Sequence, residues 1–321
     1  MPLPHFIIAG ERRSGTTSLI KYLEAHPDLW LHPRTDMGYF LDDALKGRQN
    51  KLNGRVEAAS WWHNHSADAY SALFDGASPG KLIGEKSADY IFWEHAAPRM
   101  KTVLRPDTKF IITLRNPADR AWSQYWNEVG KGRETLTFEE ALRKENERSA
   151  RCDYQLNHLA YLERGDYERS LRHFFEYFDP EQTLIVTLDE VIADTRAVLH
   201  DVYTFLGVDT SKGYNKADDH FNKNWTTFPM PFVQRNAALA RLEAGGVKLL
   251  RRILKKTITD LEKRKQVQLK VERIFRSTKQ QQPFPPELRS DILARMQPKV
   301  EALERLIGKD LTAWKPSYDR D

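Results

Sequence analysis

The sequence predicts an α/β protein whose central parallel sheet is covered by helices on both faces. Three stretches carry that expectation. Phe6-Ile7-Ile8-Ala9, Lys109-Phe110-Ile111-Ile112-Thr113-Leu114 and Thr183-Leu184-Ile185-Val186-Thr187-Leu188 are short, nearly continuous apolar runs, and each leads into a helical pattern. A strand buried on both faces has no polar side to alternate with, and strands separated by helices pair in parallel.

The elements follow in order. The first strand enters a glycine turn over 10–15 and then a helix over 16–23, where Leu19, Ile20 and Leu23 share a face. His26-Pro27 ends that helix, because proline drives the residue before it out of the helical region. Lys81-Leu82-Ile83-Gly84 is a shorter strand. After 109–114, Arg115-Asn116-Pro117-Ala118-Asp119 turns the chain into a helix, with Pro117 where the missing amide has no intrahelical partner to lose. An amphipathic segment over 167–178 precedes the third strand, and a helix over 191–206 follows it, closed by Gly207. Residues 247–276 mix Lys and Arg with Leu, Ile and Val at helical spacing, 280–286 is a Gln-Pro loop, and 287–307 is a closing helix before Gly308. There is no internal repeat. The expectation is a single domain over 1–321, carrying insertions and a basic helical C-terminal part.

Composition narrows the function classes. The 321 residues hold 50 Lys+Arg and 45 Asp+Glu, a formal charge of +5, too mild to indicate nucleic acid but compatible with an anionic ligand. One cysteine, Cys152, excludes an intramolecular disulfide framework and a Cys-rich zinc module. No run of roughly 18 apolar residues is present, so no transmembrane helix is expected. The first residues lack the basic region and apolar stretch of a signal peptide, which points to a cytoplasmic protein.

Gly10-Glu11-Arg12-Arg13-Ser14-Gly15-Thr16-Thr17 has the spacing of a phosphate-binding loop at a strand-to-helix turn. Such a loop aims backbone amides and a helix N-terminus at an anion. The nucleoside-triphosphate version carries Lys-Ser or Lys-Thr directly after its second glycine. Here Thr16-Thr17 stands there, and the cations lie inside the loop as Arg12 and Arg13, which suits one 5′ phosphate-like group better than a triphosphate. Arg115, at the end of the second long strand, and Ser123, two turns into the next helix, offer a guanidinium and a hydroxyl to a second anion. The plainer alternative for Arg115 is an ion pair with Asp119.

These residues resemble a known family. Arg13-Ser14-Gly15-Thr16-Thr17-Ser18-Leu19 is similar to the 5′-phosphosulfate loop of sulfotransferases that use 3′-phosphoadenosine 5′-phosphosulfate (PAPS), and 114–123 resembles their 3′-phosphate motif. Glu85-Lys86-Ser87-Ala88-Asp89-Tyr90, Tyr161–Tyr167 and Gly308–Trp314 resemble segments of the heparan-type N- and O-sulfotransferases, in the right order along nearly the whole chain. The resemblance implies a three-layer P-loop-like fold, with Arg12, Arg13, Ser14, Gly15, Thr16, Thr17 and Ser18 at the 5′-phosphosulfate and Arg115 and Ser123 at the 3′-phosphate. Relatives usually have Lys where this chain has Arg13, and often Lys-Glu-x-His-Tyr-Phe where it reads Thr35-Asp36-Met37-Gly38-Tyr39-Phe40. Asp36 then becomes the leading general base, one methylene shorter than the usual glutamate. Arg13 and Lys86 would neutralise the transferring group and the departing bisphosphate, and Glu85 would orient Lys86 or serve as an alternative base. No metal is required.

The implied acceptor is a hydroxyl or amine of a carbohydrate or small molecule, with a lipid or secondary metabolite as the alternative. A P-loop small-molecule kinase and a non-enzymatic anion-binding protein are the rival classes. Trp61-Trp62-His63-Asn64-His65 is read as aromatic packing ahead of a metal pair or a sugar platform, and Asn222-Lys223-Asn224-Trp225 as a surface or cleft loop. Val247–Lys256 is read as a covering helix ahead of a peripheral membrane or polysaccharide contact.

Overall fold

The computed structural model describes residues 2–41, 51–52, 55–56, 66–150, 153–219, 227–231, 276–280 and 282–316. Strands β1 (Phe6–Gly10), β2 (Leu29–Leu31), β5 (Leu82–Lys86), β6 (Lys109–Leu114) and β7 (Thr183–Thr187) form one sheet in the order β2-β5-β1-β6-β7. All four pairings are parallel. Two short antiparallel pairs stand apart: β3 (Lys51–Leu52) with β4 (Arg55–Val56), and β8 (Thr227–Pro231) with β9 (Arg276–Gln280).

The helices, in chain order, are α1 (Thr16–Leu23), α2 (Ala67–Ala72), α3 (Ala96–Val103), α4 (Pro117–Gly130), α5 (Phe138–Arg143), α6 (Glu145–Ser149), α7 (Asp153–Leu159), α8 (Tyr167–Phe174), α9 (Leu188–Ala193), α10 (Thr195–Leu206) and α11 (Pro286–Ile307). Strand alternation divides the core into two layers. Phe6 and Ile8 of β1 with Ile111 of β6 meet Leu19, Leu23, Leu199 and Val202 of α1 and α10. Ile7, Ala9, Phe110, Ile112 and Leu114 face the other way, onto Ala118, Trp122, Phe174 and Met296 of α4, α8 and α11. Both faces of β1 are therefore buried, which is why its sequence shows no polar alternation. The three-layer α/β architecture matches the expectation.

Four details correct it. The helix expected over 191–206 is two helices, because Asp194 takes an extended conformation (φ −150°, ψ 90°) and its side chain accepts from the Ala197 amide to start α10. The strand expected to reach Leu188 stops at Thr187, whose hydroxyl and Glu190 form a capping box for α9. The strand expected over 81–84 extends to Lys86, a shift that decides where Glu85 and Lys86 point. Arg276, the last residue of the basic stretch expected to be helical, opens β9. Cys152, Trp61–His65, Asn222–Trp225 and 247–275 lie outside the described residues.

Candidate active site

The site begins where β1 stops. Five residues bridge Gly10 and Thr16, and two of them adopt the left-handed conformation: Arg13 (φ 67°) and Gly15 (φ 91°). Gly15 is demanded by its φ, which strains any residue bearing a side chain, and a Cβ there would also press on the Leu188 methyl at 2.8 Å. Gly15 is also the N-cap of α1 and supplies no side-chain acceptor, so the Thr16 and Thr17 amides at the C-terminal edge of the sheet have no side-chain cap. Ser14, Thr16 and Ser18 are buried around this turn, and Thr17 is exposed.

Arg12 does not join that turn as expected. Its guanidinium hydrogen-bonds the Asp89 carboxylate and, at 3.0 Å, the Asn157 carbonyl. Its amide donates to the Glu11 carboxylate at 2.7 Å. Beneath it lies Arg164, whose fully buried guanidinium reaches Glu11 at 2.7 and 3.0 Å and Asp89 at 2.5 Å, and lies 4.1 Å from the Phe92 ring centroid. Two cations and two carboxylates thus neutralise one another inside the molecule. Burial alone raises the Asp89 carboxyl, but Arg12 and Arg164 outweigh it and hold the group below the usual aspartate range. Arg12 is a strut beneath the loop, and among the described residues Arg13 and Arg115 stand at its mouth. Sequence reasoning did not single out Glu11, Asp89 or Arg164 as a unit; the only signal was that each lies in a segment already noted for its pattern.

Arg13 and Arg115 are packed together. The Arg13 Nε donates to the Ser123 hydroxyl at 3.0 Å, and an Arg115 guanidinium N–H donates to the Arg13 carbonyl at 3.3 Å. Ser123 reaches this point from α4, started by the Asn116 side chain accepting from the Ala118 amide at 3.0 Å with Pro117 behind it. Tyr167 fixes the end of β6 by donating to the Arg115 carbonyl at 2.8 Å. The alternative pairing of Arg115 with Asp119 is not made, because Asp119 takes both branches of the Arg289 guanidinium from α11, each at 2.9 Å. Burial and the adjacent Arg115 pull the Arg13 guanidinium down to about 10, still protonated at neutral pH, and burial lowers Arg115 as well. Two charges that disfavour each other in a partly dry cleft are relieved by an incoming dianion.

Across β5 stands the second constellation. Asp36 sits in a left-handed turn (φ 55°), with its amide on the Lys86 carbonyl at 2.7 Å. The Lys86 ammonium donates to both of its carboxylate oxygens, at 2.8 and 2.7 Å, and the Ala88 amide adds a bond at 3.2 Å. The Asp36 side chain is 52% exposed and the Lys86 side chain 4%. Lys86 therefore acts from within, and Asp36 meets solvent. Glu85 makes no bond to Lys86, and its carboxylate is turned away from Asp36 and from solvent. Adjacent residues on a strand face opposite sides, and Glu85 is wholly buried, accepting from Tyr70, from Tyr90 at 2.7 Å and from Ser87 at 2.8 Å.

A sequence model described as "Sulfotransferase family" matches residues 4–212. Human heparan sulfate glucosamine 3-O-sulfotransferase 3B1 is 27% identical over 206 residues, 64% of this chain and 46% of that protein. Human bifunctional heparan sulfate N-deacetylase/N-sulfotransferase 3 is 27% identical over 220 residues, 67% of this chain and 23% of that protein. The chain thus spans less than half the length of these relatives. A crystal structure of a sulfotransferase from Alicyclobacillus acidocaldarius superposes with a TM-score of 0.68 at 27% identity, covering 98% of this chain and 99% of that one.

Proposed function

The chain belongs to the sulfotransferase family, and from that premise we propose that it moves a sulfuryl group from PAPS to a hydroxyl or amine of a carbohydrate or small-molecule acceptor. The donor brings an activated sulfuryl group on a good leaving group, the 3′,5′-bisphosphate. The chain's residues do the rest. The amides of the α1 N-terminus, with Ser14, Thr16, Thr17 and Ser18, bind the 5′ end, and Arg115 with Ser123 binds the 3′-phosphate. Arg13, between the two, stabilises the charge that builds on the departing phosphate oxygen. Asp36 faces the acceptor and takes its proton, while Lys86 holds the carboxylate in place and lends positive charge to the transferring group.

One observation carries this reading: Arg13, Arg115 and Ser123 are joined by hydrogen bonds beside the α1 N-terminus, with Asp119 drawn off to Arg289. The family sets the chain apart from the kinase and the non-enzymatic anion binder weighed on sequence. The residues present also fit the donor, since the site offers one helix N-terminus and two half-buried guanidinia to two separated anionic groups.

The test is thermal melting with 3′,5′-adenosine bisphosphate against ATP-Mg. Ligand at one hundred times Kd adds about 2.7 kcal/mol to the folded state, a rise of several degrees, which is expected for the bisphosphate and not for ATP-Mg. Transfer of labelled sulfate from PAPS to glycans, lipids and natural products then identifies the acceptor. No stabilisation by bisphosphate or PAPS refutes the proposal.

A further inference from the structure

Asp36 and Gly38 both adopt left-handed backbone angles, φ 55° and φ 65°. Such a turn is unfavourable at a residue bearing a side chain, so the surroundings must hold it. Lys86 and Ala88 hold Asp36 itself, and the groups that hold the residues directly after it converge on Glu85. The Gly38 amide donates to the Ser87 hydroxyl oxygen at 3.2 Å, and Ser87 donates to Glu85 at 2.8 Å. Phe40 packs against the rings of Tyr70 and Tyr90, with centroids 5.3 and 5.2 Å away, and Tyr39 stacks on Tyr70 at 4.4 Å and 17°. Both tyrosine hydroxyls donate to Glu85. Of the three side chains bonded to Glu85, Ser87 therefore bonds the turn at Gly38, and Tyr70 and Tyr90 pack against Tyr39 and Phe40 directly after it.

We propose that Glu85 is the positioning residue for Asp36, acting through Ser87, Tyr70 and Tyr90, none of which contacts the reacting atoms. The chemistry of a carboxylate suits this task. A carboxylate that accepts from three hydroxyls commits each hydroxyl hydrogen inward. The Ser87 oxygen then presents a lone pair, and not its hydrogen, to the Gly38 amide. A glutamine at this position adds an N–H₂ that competes with the hydroxyl donors and leaves the Ser87 hydrogen free to rotate onto the turn. Burial raises the Glu85 carboxyl, and the bonds from Tyr70, Tyr90 and Ser87 oppose that rise. The role rests on the reading of Asp36 as the base, whereas the placement of the turn does not.

The test compares Glu85→Gln, Ser87→Ala and Ser87→Thr by amide hydrogen exchange of the whole chain, with bisphosphate melting and PAPS turnover to water alongside. Glu85→Gln and Ser87→Ala are expected to speed exchange over 34–41 by about tenfold while leaving 10–18 within about twofold. The bisphosphate-induced Tm shift and the KM for PAPS should stay near wild type as kcat falls, and Ser87→Thr, which keeps the hydroxyl, should restore slow exchange. Unchanged exchange over 34–41 in Ser87→Ala overturns the proposal, and so does acceleration spread equally over 10–18. If Glu85→Gln does not fold, Ser87→Ala still decides. Failure of the sulfotransferase reading shows separately, as a wild-type protein that bisphosphate does not stabilise.

Discussion

Arg164→Ala tests the frame beneath the anion loop. The wild-type guanidinium is fully buried and joins Glu11 of the loop, Asp89 beyond β5 and, on a longer bond of 3.4 Å, the Asn157 side chain of α7. Without it, Asp89 keeps the Arg12 guanidinium, while Glu11 loses its hydrogen-bonded cation and keeps the Arg12 amide and the more distant charge of Arg120. Removing one partner of a buried ion pair costs about 3–5 kcal/mol, because a desolvated charge is left uncompensated. One kcal/mol moves the Tm of a chain of this size by about 1.5 °C, so calorimetry or circular dichroism should show a fall of at least about 4 °C. Combining Arg164→Met with Glu11→Gln should recover part of the loss, since the uncompensated charge is then gone. A Tm within about 3 °C of wild type for Arg164→Ala, or a double variant less stable than the sum of the two single ones, refutes the argument.

Three further outcomes follow from the site. Arg115→Ala removes charge-assisted hydrogen bonds worth about 1.5–3 kcal/mol, so calorimetric Kd for the bisphosphate should rise by roughly 10- to 100-fold; an unchanged Kd would move the 3′-phosphate elsewhere. Asp36→Asn should lower kcat by about 10²- to 10⁴-fold while bisphosphate binding is kept; full activity would take the base role from Asp36, and Glu85, being buried, would not inherit it. His158 is pulled well below its usual value of 6.5 by burial and by Arg12, Arg133, Lys131 and Arg164. The unfolded chain then binds its proton first as the pH falls, so His158 contributes a loss of stability below 6.5. Urea unfolding at pH 5.5 and 7.5 (about one unit either side of the histidine value) should show a smaller pH dependence in His158→Gln than in wild type. An identical dependence would contradict the assignment.

The strands and the anion loop were legible because short-range rules govern them. Phe6–Ala9 has no polar alternation since both of its faces are covered, and Gly15 must take φ 91° beside Leu188, a demand that shows as a glycine in the sequence. Asn116-Pro117 announced the start of α4 by cap chemistry alone. Asp194 carries the same kind of signal, but it lies inside an otherwise continuous helical pattern that hides it. The direction of Glu85 is hidden for a related reason. Ending the strand at Gly84 withheld the alternation that sends Glu85 and Lys86 to opposite faces, and β5 in fact runs to Lys86.

Arg12 and Arg13 mark the boundary between the two kinds of information. Side by side in one loop, they have the same charge and the same reach, and nothing local separates them. Residues far along the chain do: Asp89 and Asn157 draw Arg12 inward, and Ser123 holds Arg13 at the mouth. In the same way Asp119 could serve Arg115 or Arg289 until α11 packs against α4 and settles it for Arg289. The sequence by itself determined the layers, the loop and the residue types the site would need, because periodicity, glycine conformations and caps act over a few residues. Tertiary structure decided which cations are spent inside and which face the ligand. A salt bridge depends on distance in space and on how far both groups are removed from water, and neither quantity exists until the elements have packed.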